Sequence, residues 1–133
     1  MAIDLDRHLG ILPEALALRA RRAELIATNL ANADTPNFKA RDFDFREVLA
    51  AQTGRGSGVA LATTQPGHVG SAAPADPGTG LKYRVPLAPS LDGNTVDAQL
   101  EQSAFAENSV RYQATLTFLS ARFRSLMTAI SGQ

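Results

Sequence analysis

The 133-residue sequence contains no cysteine and no tryptophan, and aromatic residues make up only 6% of it. Without cysteine the chain can form no disulfide bond, no thiolate zinc site and no thiol nucleophile. Thirteen basic residues balance thirteen acidic ones, so no net charge draws the chain to nucleic acid or to an anionic membrane. No apolar run is long enough to cross a bilayer, and the 44% hydrophobic content is typical of a single globular or assembling domain.

Metal-binding and catalytic patterns are also missing. His8 and His68 are sixty positions apart, and neither has a second histidine or cysteine at ligand spacing. Asp42 and Asp44 alternate with phenylalanines and are flanked by arginines, which favours salt bridges over a divalent metal site. No serine lies in a nucleophile-elbow context. We therefore expect no enzyme activity, no metal, no cofactor and no small-molecule substrate.

Two further patterns have ordinary structural explanations. The glycines within residues 54–58 lack the Lys-Ser/Thr pair of a phosphate-binding loop, so they indicate flexibility. Arg19, Arg21 and Arg22 form a short basic cluster with glutamates nearby, which predicts a solvated, salt-bridged helix face and no nucleic-acid contact. The first residues also argue against a cleaved signal peptide, because Asp4 and Asp6 precede the first apolar cluster.

Composition divides the chain into three segments: an N-terminal helix in residues 1–34, a loop and Gly/Pro-rich middle in residues 35–90, and a C-terminal helix in residues 91–133. Apolar residues recur at steps of three and four between Pro13 and Asp34, which predicts one amphipathic helix that ends before Pro36. Residues 4–10 could add one further turn before Pro13.

The C-terminal segment carries the strongest periodic pattern. Apolar residues at alternating steps of four and three predict a helix over residues 95–131 with a heptad seam of the kind that paired helices bury. Asn94 is expected to cap this helix, with Asp97 in its first turn and Gly132 at its end. The seam, interrupted only by Ser109, comprises Phe105, Ser109, Tyr112, Leu116, Leu119, Phe123, Leu126 and Ile130.

The middle segment is rich in glycine and proline and poor in large apolar residues from position 53 to position 80. This composition predicts an extended or disordered segment. Residues 59–63 and 81–87 are the two strand-like runs, and Pro86 limits the second to an edge or an extended arm. The predicted fold class is therefore mainly α: two long terminal helices with an extended, partly disordered or small β middle segment.

Two motifs resemble the axial proteins of the bacterial flagellum. Residues 29–39, Asn-Leu-Ala-Asn-Ala-Asp-Thr-Pro-Asn-Phe-Lys, resemble the N-terminal signature of the rod and hook proteins, with Asn37 where glycine is commonest. Asn37 tolerates the left-handed conformation almost as readily. Residues 89–97, followed by matches at 105–108, 112–113 and 118–119, resemble the C-terminal block of the proximal rod protein next to the export gate, and residues 42–45 fit the same member.

This resemblance implies a structural subunit of the proximal rod, the tubular drive shaft for motility in the periplasm. It implies that the N- and C-terminal helices pair as an antiparallel coiled coil. It implies partners among other copies of the chain, other rod proteins, and components of the basal body ring and export gate. It also implies passage through the flagellar type III export apparatus without a cleaved signal peptide. The alternative is a helical adaptor or secreted protein that binds a partner helix through the seam in residues 105–130.

The candidate site is an assembly interface. Asn29 and Asn32 are expected to bond a neighbouring backbone, because buried amides need partners. The alternative for both is that they only satisfy the end of their own helix near Pro36. Phe45 and Leu49 resemble the short element by which early rod and hook subunits dock on the export gate, and core packing of Phe45 is the alternative. The predicted interface residues are Leu16, Ile26, Asn29, Leu30, Asn32, Phe105, Tyr112, Leu116, Leu119, Phe123, Leu126 and Ile130.

Overall fold

The computed structural model describes residues 5–54, 80–86 and 90–132. Within them the elements run in the order α1 (Leu5–Leu9), α2 (Leu12–Ala31), β1 (Arg41–Phe43), α3 (Phe45–Gln52), β2 (Leu81–Tyr83) and α4 (Ala98–Ser131). The two long helices α2 and α4 pack against each other. This confirms the predicted mainly helical fold with long terminal helices and a small β element; the strand-like run at residues 59–63 lies outside the described residues.

Helix α2 forms where the apolar period predicts it. Gly10, with φ of +60°, separates α1 from α2, and Pro13 lies in the first turn, where its missing N–H costs no hydrogen bond. The helix ends at Ala31, three residues before the predicted limit. The turn after it includes Asn37, which has a positive φ of 61° as its place in the signature predicts.

Helix α4 begins later than predicted, and its cap is a different residue. Asp97, not Asn94, is the N-cap: its carboxylate accepts hydrogen bonds from the backbone N–H groups of Gln99 and Leu100. Asn94 lies three residues before this cap: its Oδ1 accepts from the Val96 N–H at 2.8 Å, and its Nδ2 donates to carbonyls at the end of α2. The predicted end is confirmed, since Gly132 adopts the left-handed conformation with φ of 72°. At about 1.5 Å per residue, the helix is roughly 50 Å long.

The sheet has two antiparallel strands, with Arg41 opposite Tyr83 and Phe43 opposite Leu81. The second strand-like run thus forms a strand only at its start, before Pro86. The core lies where the sheet and α3 meet α2, and three residues of it are buried: Leu18, Phe43 and Val48. Gly80 lies directly on this core, because a Cβ there would approach Val48 Cγ2 to 2.6 Å.

None of the helices in the described ranges is long and apolar enough to cross a membrane. The same ranges contain no group of three His, Asp or Glu residues placed to hold a metal ion.

Candidate assembly surface

Helix α4 turns a line of polar residues toward α2. Glu101, Asn108 and Thr115 are spaced seven residues apart and are 0%, 2% and 8% exposed. The Asn108 Nδ2 donates to the backbone carbonyl of Arg19 at 2.9 Å, and the Asn29 Nδ2 lies 3.3 Å from Glu101 Oε2. These contacts show that α2 and α4 run antiparallel. The polar line was missed in the sequence, although its spacing of seven beside the seam is a readable signal.

An ionic network joins this line to the sheet. Arg84 Nη1 lies 2.8 Å from Glu101 Oε1, in an ionic contact outside hydrogen-bonding geometry, and Arg84 Nη2 donates to Asp42 Oδ2 at 2.7 Å. Arg22 donates to both carboxylate oxygens of Asp42, at 3.1 and 2.8 Å. The network therefore ties α2, β1, β2 and α4 together through four charged side chains.

The environment of Asp42 favours its charged form. Burial alone raises the pKa of Asp42, but hydrogen bonds from Arg22, from the Phe43 backbone and from Arg84 outweigh it, so the pKa lies below its usual value. The hydrogen bond to Asp42 likewise raises the pKa of Arg22. Salt bridging of Asp42 is thus confirmed, with Arg22 and Arg84 as its partners in place of the flanking arginines. Asp44 caps α3, accepting from the N–H groups of Arg46 and Glu47.

Amide side chains hold the end of α2 and the turn that follows it to β1 and to the segment before α4. Asn29 pairs with the Arg41 backbone, donating to its carbonyl at 2.9 Å and accepting from its N–H at 3.1 Å. Asn94, 6% exposed, donates from Nδ2 to the carbonyls of Asn32, Ala33 and Thr35 at 3.0, 2.6 and 3.1 Å. The expectation that Asn29 bonds a neighbouring backbone is confirmed.

Asn32 follows the alternative prediction. Its Nδ2 donates to the Thr28 carbonyl in its own helix, and its Oδ1 accepts from the Thr35 hydroxyl at 3.2 Å. The side chain therefore satisfies the end of α2, and it does so because the turn before Pro36 brings Thr35 back over the last helical turn.

The apolar seam of α4 lies beside the polar line and is only partly covered. From the helical repeat, Phe105, Leu116 and Phe123 lie roughly 40 to 60° around α4 from Glu101. They are 40%, 39% and 45% exposed, and Ile130 is 71% exposed. Ser109 is exposed too, whereas the seam members nearer α2 are half-buried: Tyr112, Leu119 and Leu126.

On the α2 side, small residues leave space opposite the seam. A groove of about 410 Å³ lies between the two helices, and we call it the open groove; it is lined by Ala20, Ala23, Asn108, Ser109, Tyr112 and Gln113. Leu16 and Leu30 of α2 are half-buried. Two other predicted interface residues, Ile26 and Asn29, are 0% and 2% exposed and are covered by the chain's own elements.

Phe45 and Leu49 both contact the core from α3. They are half-buried and pack against the cluster of Leu18, Phe43 and Val48. The Arg19 guanidinium lies 4.3 Å from the centroid of the Phe45 ring, within the range of a cation–π contact. In the folded chain Phe45 therefore packs on the core, as the alternative to export-gate docking predicts.

These features define a class of protein: a long helical pair with a part-covered apolar seam, held by a polar network and with no catalytic constellation in the described residues. A family model described as flagella basal body rod protein matches residues 11–39. The chain is 49% identical to the flagellar basal body rod protein FlgB of Cereibacter sphaeroides, with 95% of each chain covered. It is 46% identical to FlgB of Salmonella typhimurium, with 96% of each covered, and 45% identical to FlgB of Escherichia coli, with 95% and 94% covered.

The chain belongs to the flagellar basal body rod protein family. It is a structural subunit of the flagellar basal body rod, as the two sequence motifs predict, and not an enzyme.

Proposed function

We propose that the chain builds the proximal rod by packing its open groove and exposed seam against helices of neighbouring subunits. The neighbours are other copies of the chain and other rod proteins, with basal body ring and export gate components at the ends of the structure. The observation that carries the proposal is the partial exposure of Phe105, Leu116 and Phe123 along one side of a helix. Burial of each such side chain stabilises an assembly by about 1 to 2 kcal/mol.

The place of action follows from the same proposal. The rod crosses the periplasm, and the subunit reaches it by flagellar type III export without a cleaved signal peptide. The absence of cysteine is compatible with an oxidising compartment. The division into residues 1–34, 35–90 and 91–133 is proposed to be functional as well, with the two terminal segments forming the axial wall of the rod.

Leu116→Asp tests the interface. Because Leu116 is already 39% exposed in the single chain, the substitution should leave the fold of the subunit largely intact. In the assembled rod an unpaired carboxylate would be buried, at a cost of several kcal/mol. We expect the variant to be secreted but not incorporated, so that cells lose motility and isolated basal bodies lack the subunit.

Ala114→Asp is the matched control, since it places the same charge on an exposed position two residues away, roughly 160° around α4 from Leu116. We expect it to assemble. Normal motility with Leu116→Asp would contradict burial of the seam, and loss of assembly in both variants would show that the interface extends around the helix.

A further inference from the structure

Helix α4 has two sides on which another helix can pack, and they differ in chemistry. Toward α2 it presents the buried polar line of Glu101, Asn108 and Thr115. Roughly 40 to 60° around the helix lie the exposed seam residues Phe105, Leu116 and Phe123, and the open groove borders the polar line at Asn108. An assembling helix with two packing sides requires some means of directing each partner to the correct side.

The polar line accepts only a partner that supplies matching groups. In this chain the carbonyl of Arg19 accepts from Asn108 Nδ2, and Asn29 and Arg84 face the two oxygens of Glu101. The polar line of a second α4 contains no cation. A parallel, in-register pair of α4 helices would bury two Glu101 carboxylates against each other, and an antiparallel pair would bury each Glu101 opposite Thr115, in both cases without the counter-charge that Arg84 supplies here.

The polar line also opposes a shift of α4 along α2 within the native pair. A shift of α4 by one heptad, about 10 Å, would place Glu101 where Asn108 now lies. The carboxylate would then face the carbonyl of Arg19, and two acceptors would meet. Arg84 would lose the partner that it holds at 2.8 Å.

The central residue of the polar line carries a cost in stability. Asn108 Oδ1 is buried and has no hydrogen-bond partner, which lowers the stability of the pair relative to a leucine at the same position. In coiled coils a buried polar residue of this kind selects partner and register at a cost in stability.

We propose that Glu101 and Asn108 are specificity determinants that reserve this side of α4 for α2 of the same chain, and so leave the open groove to neighbouring subunits. The inference deepens the proposed function, because the groove is useful in assembly only if the other side of α4 is already occupied. Asn108 is the central member of the line and the one that contacts the α2 backbone directly.

Spin labels test the assignment in the isolated chain, where introduced cysteines are unique because the sequence has none. Labels at Glu24→Cys and Ala106→Cys, both exposed, report the α2–α4 distance when labelled chain is diluted with unlabelled chain. A single label at Ala106→Cys, undiluted, reports pairing between two α4 helices. The test variant is Asn108→Leu, and the control is Gln102→Leu, which adds the same side chain at an exposed position.

We expect one narrow distance and no intermolecular signal in the parent chain and in the Gln102→Leu control. In Asn108→Leu the intramolecular distances should broaden to include values shifted by about one heptad, and an intermolecular signal should appear. An unchanged narrow distance in Asn108→Leu would overturn the proposal. Unfolding of Asn108→Leu, seen as loss of helical circular dichroism, would overturn it too, since Asn108 would then be needed for folding itself. This experiment does not measure rod assembly. Its outcome is therefore independent of the motility test with Leu116→Asp, and either proposal can fail without the other.

Discussion

Asp42 holds together more of the structure than any other single charge in the described residues, because it receives hydrogen bonds from both Arg22 and Arg84. Its side chain is only 16% exposed, so the pairs are poorly screened by solvent. Asp42→Asn leaves Arg22 without its paired carboxylate and leaves Arg84 with Glu101 alone. We expect a loss of about 2 to 4 kcal/mol in the free energy of unfolding at neutral pH, measured by urea titration with circular dichroism.

The pH dependence of the free energy of unfolding, compared between the parent chain and Asp42→Asn, tests the charge state of Asp42. The folded-state pKa of Asp42 is lowered, so its contribution to stability is complete above the unfolded pKa of about 4 and is lost as the pH falls through the folded value. The difference in stability between the parent chain and Asp42→Asn should therefore shrink below about pH 4. A difference that stays constant down to pH 2 would contradict the assigned charge state.

Asn94 acts on the end of α2 from sixty residues away. Asn94→Ala removes donors from the carbonyls of Asn32, Ala33 and Thr35 and should cost about 2 kcal/mol. Asn94→Asp has the same shape but places a negative charge against three carbonyls, so we expect it to cost more than Asn94→Ala. Hydrogen exchange at the end of α2 would show the loss; an Asp variant as stable as the parent would contradict the donor role.

At the scale of elements, α3 carries the open question of export-gate docking. In the folded chain Phe45 and Leu49 pack on the core, yet a chain exported unfolded would still present them to the gate. For the double change Phe45→Ala and Leu49→Ala, docking predicts blocked secretion with normal intracellular levels, measured by immunoblot of cell and secreted fractions. Packing predicts degradation inside the cell instead.

Val48→Ala is the matched control for that experiment. Val48 lies in α3 and is 6% exposed, so its truncation weakens the same core while leaving Phe45 and Leu49 in place. If Val48→Ala and the double variant are degraded alike and secreted alike, the docking idea fails. Normal secretion of the double variant followed by failed rod assembly would also exclude docking and leave a structural role.

The local sequence predicted where the helices and strands lie better than it predicted which side chains contact one another between them. The apolar period of residues 13–34 and 105–130 placed α2 and α4, and Gly132 placed the end of α4. The partners of Glu101 were beyond reach, because Arg84 and Asn29 approach it from segments whose positions depend on the whole fold. The cap of α4 was also mispredicted: Asn and Asp are equally good caps by local preference, and the role of Asn94 in holding the end of α2 depends on carbonyls about sixty residues away.

For the molecule as a whole, the exposed seam predicts incomplete order outside the rod. We expect the isolated chain to be partly helical, with exchange-labile amides toward both ends and the slowest exchange around the buried residues Leu18, Ile26 and Phe43. Hydrogen exchange followed by mass spectrometry measures this directly. Full, cooperative protection along both terminal helices of a monomer would contradict it.

The pairing of α2 with α4 also has a consequence for the time course of folding. Asn108 contacts Arg19 across 89 positions of the chain, and Asn29 contacts Glu101 across 72. Contacts so far apart require a long loop to close before any energy is returned, which slows folding. A chain made from its N-terminus cannot form them until its last third has been synthesised. The topology itself therefore delays the native pairing of α2 with α4 until most of the chain has been made.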